Sequence, residues 1–308
     1  MKLQKIVYIL LTALALNACN VVEKVYFETL NPADTIIDLT IQKIDIVNRF
    51  AIDRYSEKID EPNKWALDSL VSFECIKALY GEIKQGERFS PQRVDTVFRW
   101  EESANPRIEL TNVDLSVKTL LDPVRDFATG YYRAAVRVDY RVSWKVFADE
   151  KREVYSRQYI DTVWLEGLKP YFTQLYDLVE FDRAIEHIVQ KTARNFAAEI
   201  SPTWKPTYRY LFTTGHNDFV VAAYYVSQGE WEKAESLWLK HASGGNRSLA
   251  GKANYNLAVK AEKEGKLLVA LEYAQKSAKE NRFNYAQDYI KILRIRLNNI
   301  KVIESQLP

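Results

Sequence analysis

Thiols and imidazoles, the side chains best suited to redox chemistry and to soft transition metals, are few in this 308-residue chain: two cysteines and three histidines. Cys75 lies in SLVSFECIKALY, between apolar positions of an expected helix, with no histidine near it in sequence. A reactive thiolate needs an electropositive and partly open setting, so the pattern reads as a buried, inert thiol. His187, His216 and His241 show neither His-x3-His spacing nor neighbouring cysteines, which argues against a transition-metal site. Asp and Glu are abundant, but no G-x-S-x-G, H-E-x-x-H, P-loop or dinucleotide fingerprint organises them. The expectation is a protein with no catalytic residues, no metal site and no cofactor.

Cys19 points to chemistry of another kind. Lys2 and Lys5 precede an apolar run over residues 6–16, shorter than the roughly 20 residues that a helix needs to cross a hydrocarbon core of about 30 Å. Such a segment reads as an export signal over residues 1–18. The tetrad Leu16-Asn17-Ala18-Cys19 resembles a bacterial lipobox, in which the cysteine sulfur receives a diacylglyceryl group; Asn17 departs from the small residue usual at minus two. The resemblance implies a lipid attachment at Cys19, and two or three acyl chains anchor a protein firmly where one holds only reversibly. Residues 20–28, NVVEKVYFE, lack an acidic run of the kind that resembles a surface-export signal. The expected place is a cell envelope, facing the periplasm. With Cys19 acylated, Cys75 has no partner for an intramolecular disulfide.

The chain carries 43 Lys plus Arg against 41 Asp plus Glu, and loss of Lys2 and Lys5 with the leader leaves the two signs equal. No basic field is left to recruit nucleic acid. The mature length of about 290 residues is enough for two domains, and the aromatic content of 13% predicts an aromatic-rich core.

The elements predicted along the chain give an α+β protein. A lipidated tether over 19–34 leads into a mixed α/β domain over 35–213. Within it TIIDLTIQKIDIV, rich in β-branched residues, suits one or two strands. Helical spacing of apolar residues over 65–83 ends at Gly86. VDTVF is a short strand, and IELTNVDLSVKTL holds another with a turn at Asn112. Residues 132–147 alternate strictly between apolar and polar, and 154–165 run back as the second arm of a β-hairpin. Arg133, Arg137, Arg141 and Lys145 then line one solvated sheet face, balanced by Asp139 and Asp161. An amphipathic stripe from Ile185 to Ile200 is stopped at Pro202, and TWKPTYRYLF reads as an extended edge strand.

From residue 214 onward the pattern becomes helical and repeats. Gly229 and Gly265 are 36 positions apart, as are Ala234 and Ala270. The segments around them are similar to tetratricopeptide repeats, without the usual closing proline and with Asn254 where an aromatic is frequent. Residues 285–297 read as a capping helix. Concave surfaces of such repeats usually bind peptides or protein segments, so Tyr224, Tyr225, Asn256 and Lys260 are candidate partner contacts. Together with the lipobox, ISPTWKPTYRYLF, GEWEKAESLW and KANYNLAVKAEKEGKLLVALEYAQKS resemble an uncharacterised family of Bacteroidota outer-membrane lipoproteins with C-terminal tetratricopeptide repeats. That resemblance implies location and architecture and supplies no active residues. The functional expectation is a non-catalytic, lipid-anchored scaffold or assembly adaptor that holds a protein partner at its repeats. The alternative is a glycan- or nutrient-binding accessory using exposed aromatics such as Trp164, Trp204 and Tyr208.

Overall fold

In a computed structural model of the chain, the described residues are 22–38, 40–50, 62–97, 105–171, 175–280 and 284–307. They form two compact units, one of residues 30–204 with 302–307, the other of residues 22–29 with 205–301. The leader and Cys19 lie outside the described residues. The stretch expected to be a tether is instead a strand, β1 (Val22–Asn31), paired in a two-stranded sheet with β7 (Thr203–Phe212). Val22, Val25 and Phe27 pack on the hydrophobic core of the second unit, so apolar contact fixes a segment whose local composition reads as a linker.

The first unit is built on a five-stranded mixed sheet. It contains β2 (Lys43–Asn48), helix α1 (Pro62–Gln85), β3 (Ser90–Asp95), β4 (Arg107–Arg125), β5 (Tyr132–Phe147) and β6 (Glu153–Lys169), in the strand order β3-β2-β4-β5-β6. Both neighbours of β2 run parallel to it, and α1 supplies the crossover that a parallel β2–β3 pair requires. From β4 onward the pairing is antiparallel.

Two local expectations are corrected and one is narrowed. Of the one or two strands expected over 35–47 one forms, β2; residues 35–38 and 40–42 lie outside it, and the buried Arg88 guanidinium donates to the carbonyls of Ile41 (2.8 Å) and Asp38 (3.1 Å), so a side chain meets backbone needs that a sheet neighbour would otherwise meet. Strand β3 begins four residues before VDTVF because the Ser90 amide donates to the Gln42 carbonyl at 2.7 Å and sets the parallel register there. Its edge position lets it carry Pro91. Asn112 marks a register shift within a continuous β4 and not a turn, with the Thr111 hydroxyl donating to the Ser143 carbonyl at 3.2 Å.

Alternation along β5 divides the sheet. Ala134, Val136, Val138, Tyr140, Val142, Trp144 and Val146 are buried in one core with Val71, Cys75, Ile76, Leu79 and Ile83 of α1. The expected stripe from Ile185 to Ile200 closes that core from α2 (Phe181–Val189), a π-helical turn (Gln190–Arg194) and α3 (Asn195–Ile200). Phe196 stacks on Trp144, ring centroids 5.3 Å apart and planes 13° from parallel. At the π turn the Thr192 hydroxyl donates back to the Ile188 carbonyl at 2.8 Å, a bond of the kind that bends helices. On the other sheet face Asp139 meets Arg137 (3.0 Å), Lys118 (3.3 Å) and the Thr162 hydroxyl (2.8 Å). Asp161 does not help to balance that face: it pairs in register with Tyr140, whose side chain points into the core.

The second unit carries a series of five helices: α4 (Asn217–Ser227), α5 (Trp231–Ala242), α6 (Arg247–Lys263), α7 (Leu267–Glu280) and α8 (Asn284–Gln306). Gly229 and Gly265 take φ values of 78° and 76° at equivalent turns. At the first, the Gly229 amide donates to Val226 O and the Glu230 amide to Tyr225 O; at the second, Gly265 donates to Glu262 O and Lys266 to Ala261 O. These are the paired bonds of a Schellman ending, which glycine enters without steric cost. Ala234, Trp238, Ala270 and Ala274 are buried at matching positions of the two helical pairs.

Close packing in the first unit is testable at two glycines. A Cβ on Gly167 in β6 meets the Leu178 carbonyl oxygen at 2.2 Å, whereas a Cβ on Gly81 in α1 meets nothing within 4 Å. Gly167→Ala should lower stability by about 1–3 kcal/mol through overpacking, and Gly81→Ala should raise it by about 0.5–1 kcal/mol through helix propensity. Urea unfolding of both variants checks the pair; a wild-type midpoint for Gly167→Ala would remove Leu178 from the back of β6.

Candidate functional site

Helix α6 is the centre of the helical series. Every residue from Ala253 to Glu262 is buried, because its polar groups find partners on several sides. Asn254 donates to the Ala242 carbonyl at the end of α5 (2.8 Å), the Ser277 hydroxyl of α7 donates to Gly251 O (2.7 Å), and the Tyr289 hydroxyl of α8 contacts Ala258 O (3.3 Å). The Asn254 bond satisfies one of the carbonyls that a helix end leaves without an intrahelical partner. Strand β7 covers a further side of α6.

Two of the expected partner contacts lie under the chain itself. Asn256 is 0% exposed; its amide oxygen accepts the Phe212 N–H and its amide nitrogen donates to the Phe212 carbonyl, both at 2.8 Å. One carboxamide thus reads both main-chain groups of a single residue in extended conformation. Lys260, 5% exposed, is held by Glu235 at 3.0 Å and by Glu264. Burial works against its charge, and the two carboxylates more than offset this, so its pKa ends above the ordinary value. Neither residue is open to a partner, contrary to expectation. On α4, Tyr224 is 62% exposed and Tyr225 is half-buried with Lys233 over its ring at 5.3 Å.

A buried ion pair fixes β7 in place. Arg209 donates through Nε and Nη2 to the two carboxylate oxygens of Glu262, each bond 2.7 Å. Glu262 also accepts from Arg296 Nη1 of α8 at 2.7 Å and from the Tyr289 hydroxyl at 2.6 Å. Burial opposes the Arg209 charge, but the Glu262 bonds outweigh it and leave its pKa raised; the buried Tyr289 phenol is pushed well above its usual value. Around this pair run Phe212, Tyr255 and Tyr289, with successive centroids 5.1 Å apart.

The first unit gives Cys75 the inert setting expected for it. The thiol is fully buried beside the Thr192 hydroxyl at 3.5 Å, and burial pushes its pKa up to about 12. Of the aromatics suggested for glycan stacking, Trp164, Trp204 and Tyr208 are all exposed. Trp164 shares its sheet face with Arg137, the register partner whose guanidinium lies 5.8 Å from its ring.

One cluster is absent from the sequence reading. His216 is the N-cap of α4, its Nδ1 accepting the Asp218 amide at 3.1 Å. His241, in the last turn of α5, places Nε2 2.8 Å from Asp218 Oδ2. The two imidazole rings lie 4.5 Å apart, and the His241 hydrogen bond holds the Asp218 carboxyl below its usual range. A sequence signal did exist: His216 precedes Gly229 by 13 residues and His241 follows it by 12, so an antiparallel helical pair turning at that glycine must bring them together.

A family model described as a domain of unknown function, DUF6340, matches residues 220–295, which run from α4 into α8. No curated protein matches the chain.

Removing one partner of a buried ion pair costs about 3–5 kcal/mol. Glu262→Gln should therefore lower the unfolding free energy by about that amount, while Glu304→Gln, at an exposed position of α8, should leave it within about 0.5 kcal/mol of wild type. Chemical denaturation of the two variants decides; equal midpoints would mean that the pair does not hold β7.

Proposed function

We propose that the protein is a non-catalytic envelope lipoprotein, anchored by acyl groups on Cys19 at the outer membrane and facing the periplasm, that works as an assembly adaptor through a helical series of tetratricopeptide type. The 36-residue spacing, the matched Schellman turns and the matched buried alanines support the repeat assignment. The lipobox-like tetrad supports the anchor.

The observation that carries the adaptor reading is an unequal use of equivalent positions. Shifted by 36 residues, Val220 and Tyr224 of α4 are the counterparts of Asn256 and Lys260 of α6. In the second helical pair these positions are buried, Asn256 beneath β7. In the first they are 56% and 62% exposed, four residues apart on one helix face, where side chains adjoin. The first pair thus leaves open what the second has filled, and fills it with apolar residues suited to a hydrophobic segment of another protein. Tyrosine is among the residues that most often anchor such contacts. A second reading, glycan capture, has the exposed Tyr26 and Tyr208 in its favour, their rings 6.1 Å apart.

The test uses full-length protein in its own membranes, with chemical crosslinking and affinity recovery. Wild type should carry label from palmitate and yield one reproducible protein partner. Val220→Ser with Tyr224→Ala should cut its recovery by about tenfold or more, the equivalent of about 1.4 kcal/mol. Cys19→Ser should abolish the label and release the chain from membranes. An unlabelled wild type removes the anchor; recovery untouched by the α4 double variant removes the adaptor surface and leaves the glycan reading.

A further inference from the structure

We infer that His216, Asp218 and His241 form a binding site for a divalent transition-metal ion, zinc being the ion to which the donor set is suited. Each residue offers one ligand atom, and the three atoms all lie within 4.8 Å of one another. Zinc bonds of about 2.0–2.2 Å to imidazole nitrogen and carboxylate oxygen place tetrahedral donors about 3.3 Å apart. The separations of 2.8 Å from His241 Nε2 to Asp218 Oδ2 and 3.6 Å from His216 Nδ1 to the same oxygen lie on either side of that value. Small side-chain movements bring all three onto one ion. Two imidazoles and a carboxylate suit zinc and its neighbours in the first transition row, whereas calcium and magnesium favour oxygen donors alone.

The scaffold and the local charges agree with this assignment. The ligands stand on α4 and α5, a helical pair clamped by buried Phe219, Ala222, Ala234 and Trp238, so little order is left to impose on binding. His241 lies at the C-terminal end of α5, where the helix carries partial negative charge, and the Asp218 carboxylate offsets the positive end of α4. The buried Phe219 ring sits 5.7 Å from the His241 ring and gives the site an apolar wall, a feature that limits water and strengthens ligand bonds. A metal on His216 Nδ1 takes the lone pair that now accepts the Asp218 amide. That hydrogen bond is solvent-exposed, so water can replace it. His216 is half-exposed, which leaves a fourth coordination position on the solvent side. Three protein ligands and one open position distinguish an exchangeable or ligand-accepting zinc site from a closed structural one.

The inference is independent of the adaptor reading and has its own test. Full-length protein carrying no polyhistidine tag is stripped with chelator and titrated with zinc against a chromophoric competitor, then with cobalt. Wild type should take up one zinc per chain, show the visible absorption of tetrahedral cobalt, and melt at a higher temperature with zinc present. Asp218→Asn and His241→Gln, which keep the side-chain size, should each weaken zinc binding at least tenfold and lose the cobalt spectrum. His187→Gln, on α2, should change nothing. If circular dichroism shows that a variant has lost helix, His216→Ala, at the half-exposed position, takes its place. No stoichiometric uptake by wild type, or uptake unaffected by these ligand variants, overturns the site.

Discussion

A carboxylate removed from water is the constraint on which the helical unit depends. Glu262 has a side chain with no solvent exposure, and an isolated charge in that setting would cost several kcal/mol. It is tolerated because two guanidinium groups and a phenol converge on it, from β7 and α8. Loss of the carboxylate would leave the largely buried Arg209 guanidinium without its charged partner. The pair therefore specifies geometry more than it adds stability: β7 must lie where Arg209 reaches α6, and α8 where Arg296 and Tyr289 do. Once β7 is set, Phe212 falls on the Asn256 amide and its ring against Tyr255.

This arrangement bears directly on function. A helical repeat surface able to grip an extended chain holds one already, and that chain is its own β7. On the proposed adaptor role, recognition of another protein would fall to positions that β7 leaves uncovered, which directs attention to α4. Among the described residues, the shifted titrations trace to burial and to neighbouring charges. Tyr140, Tyr255 and Tyr289 are raised first by burial, and Asp139 is lowered by its hydrogen bond from Thr162 and by the cations of a solvated sheet face. Packing and ion pairing account for them.

What the sequence revealed and what it hid separate by range. The alternation of β5, the stripe from Ile185 to Ile200 and the glycine-punctuated helical pairs were legible because each is a local period, set by residues a few positions apart. Strand β1 was not, because its partner β7 lies some 180 residues away and only that pairing and the core beneath Val25 and Phe27 make it a strand. Arg88 holding the turn at Asp38 and Ile41 was hidden for the same reason. Asn256 and Lys260 were found but given the wrong environment: polar side chains on a helix read as solvent-facing, and here Asn256 meets the main chain of a strand while Lys260 is enclosed by two carboxylates.

The His216–Asp218–His241 cluster lies between these cases. No motif of fixed spacing marks it, yet it follows from topology that the sequence did disclose. In an antiparallel helical pair, residues at nearly equal distances from the turn must be neighbours, and the glycine at 229 gives the point from which to count. The second pair offers a comparison. Positions 36 residues on from these three are Lys252, Asn254 and Ser277, and their bonds run to Thr214 O, Ala242 O and Gly251 O. In that pair the equivalent site is spent on joining neighbouring elements by neutral and cationic donors. In the first pair Asp218 and His241 also join α4 to α5, and His216 caps α4, but the groups that do so are two imidazoles and a carboxylate, each able to give a lone pair to a metal ion. The same positions of the repeat thus carry metal-binding chemistry in one pair and not in the other, which is the reason for assigning the first a ligand.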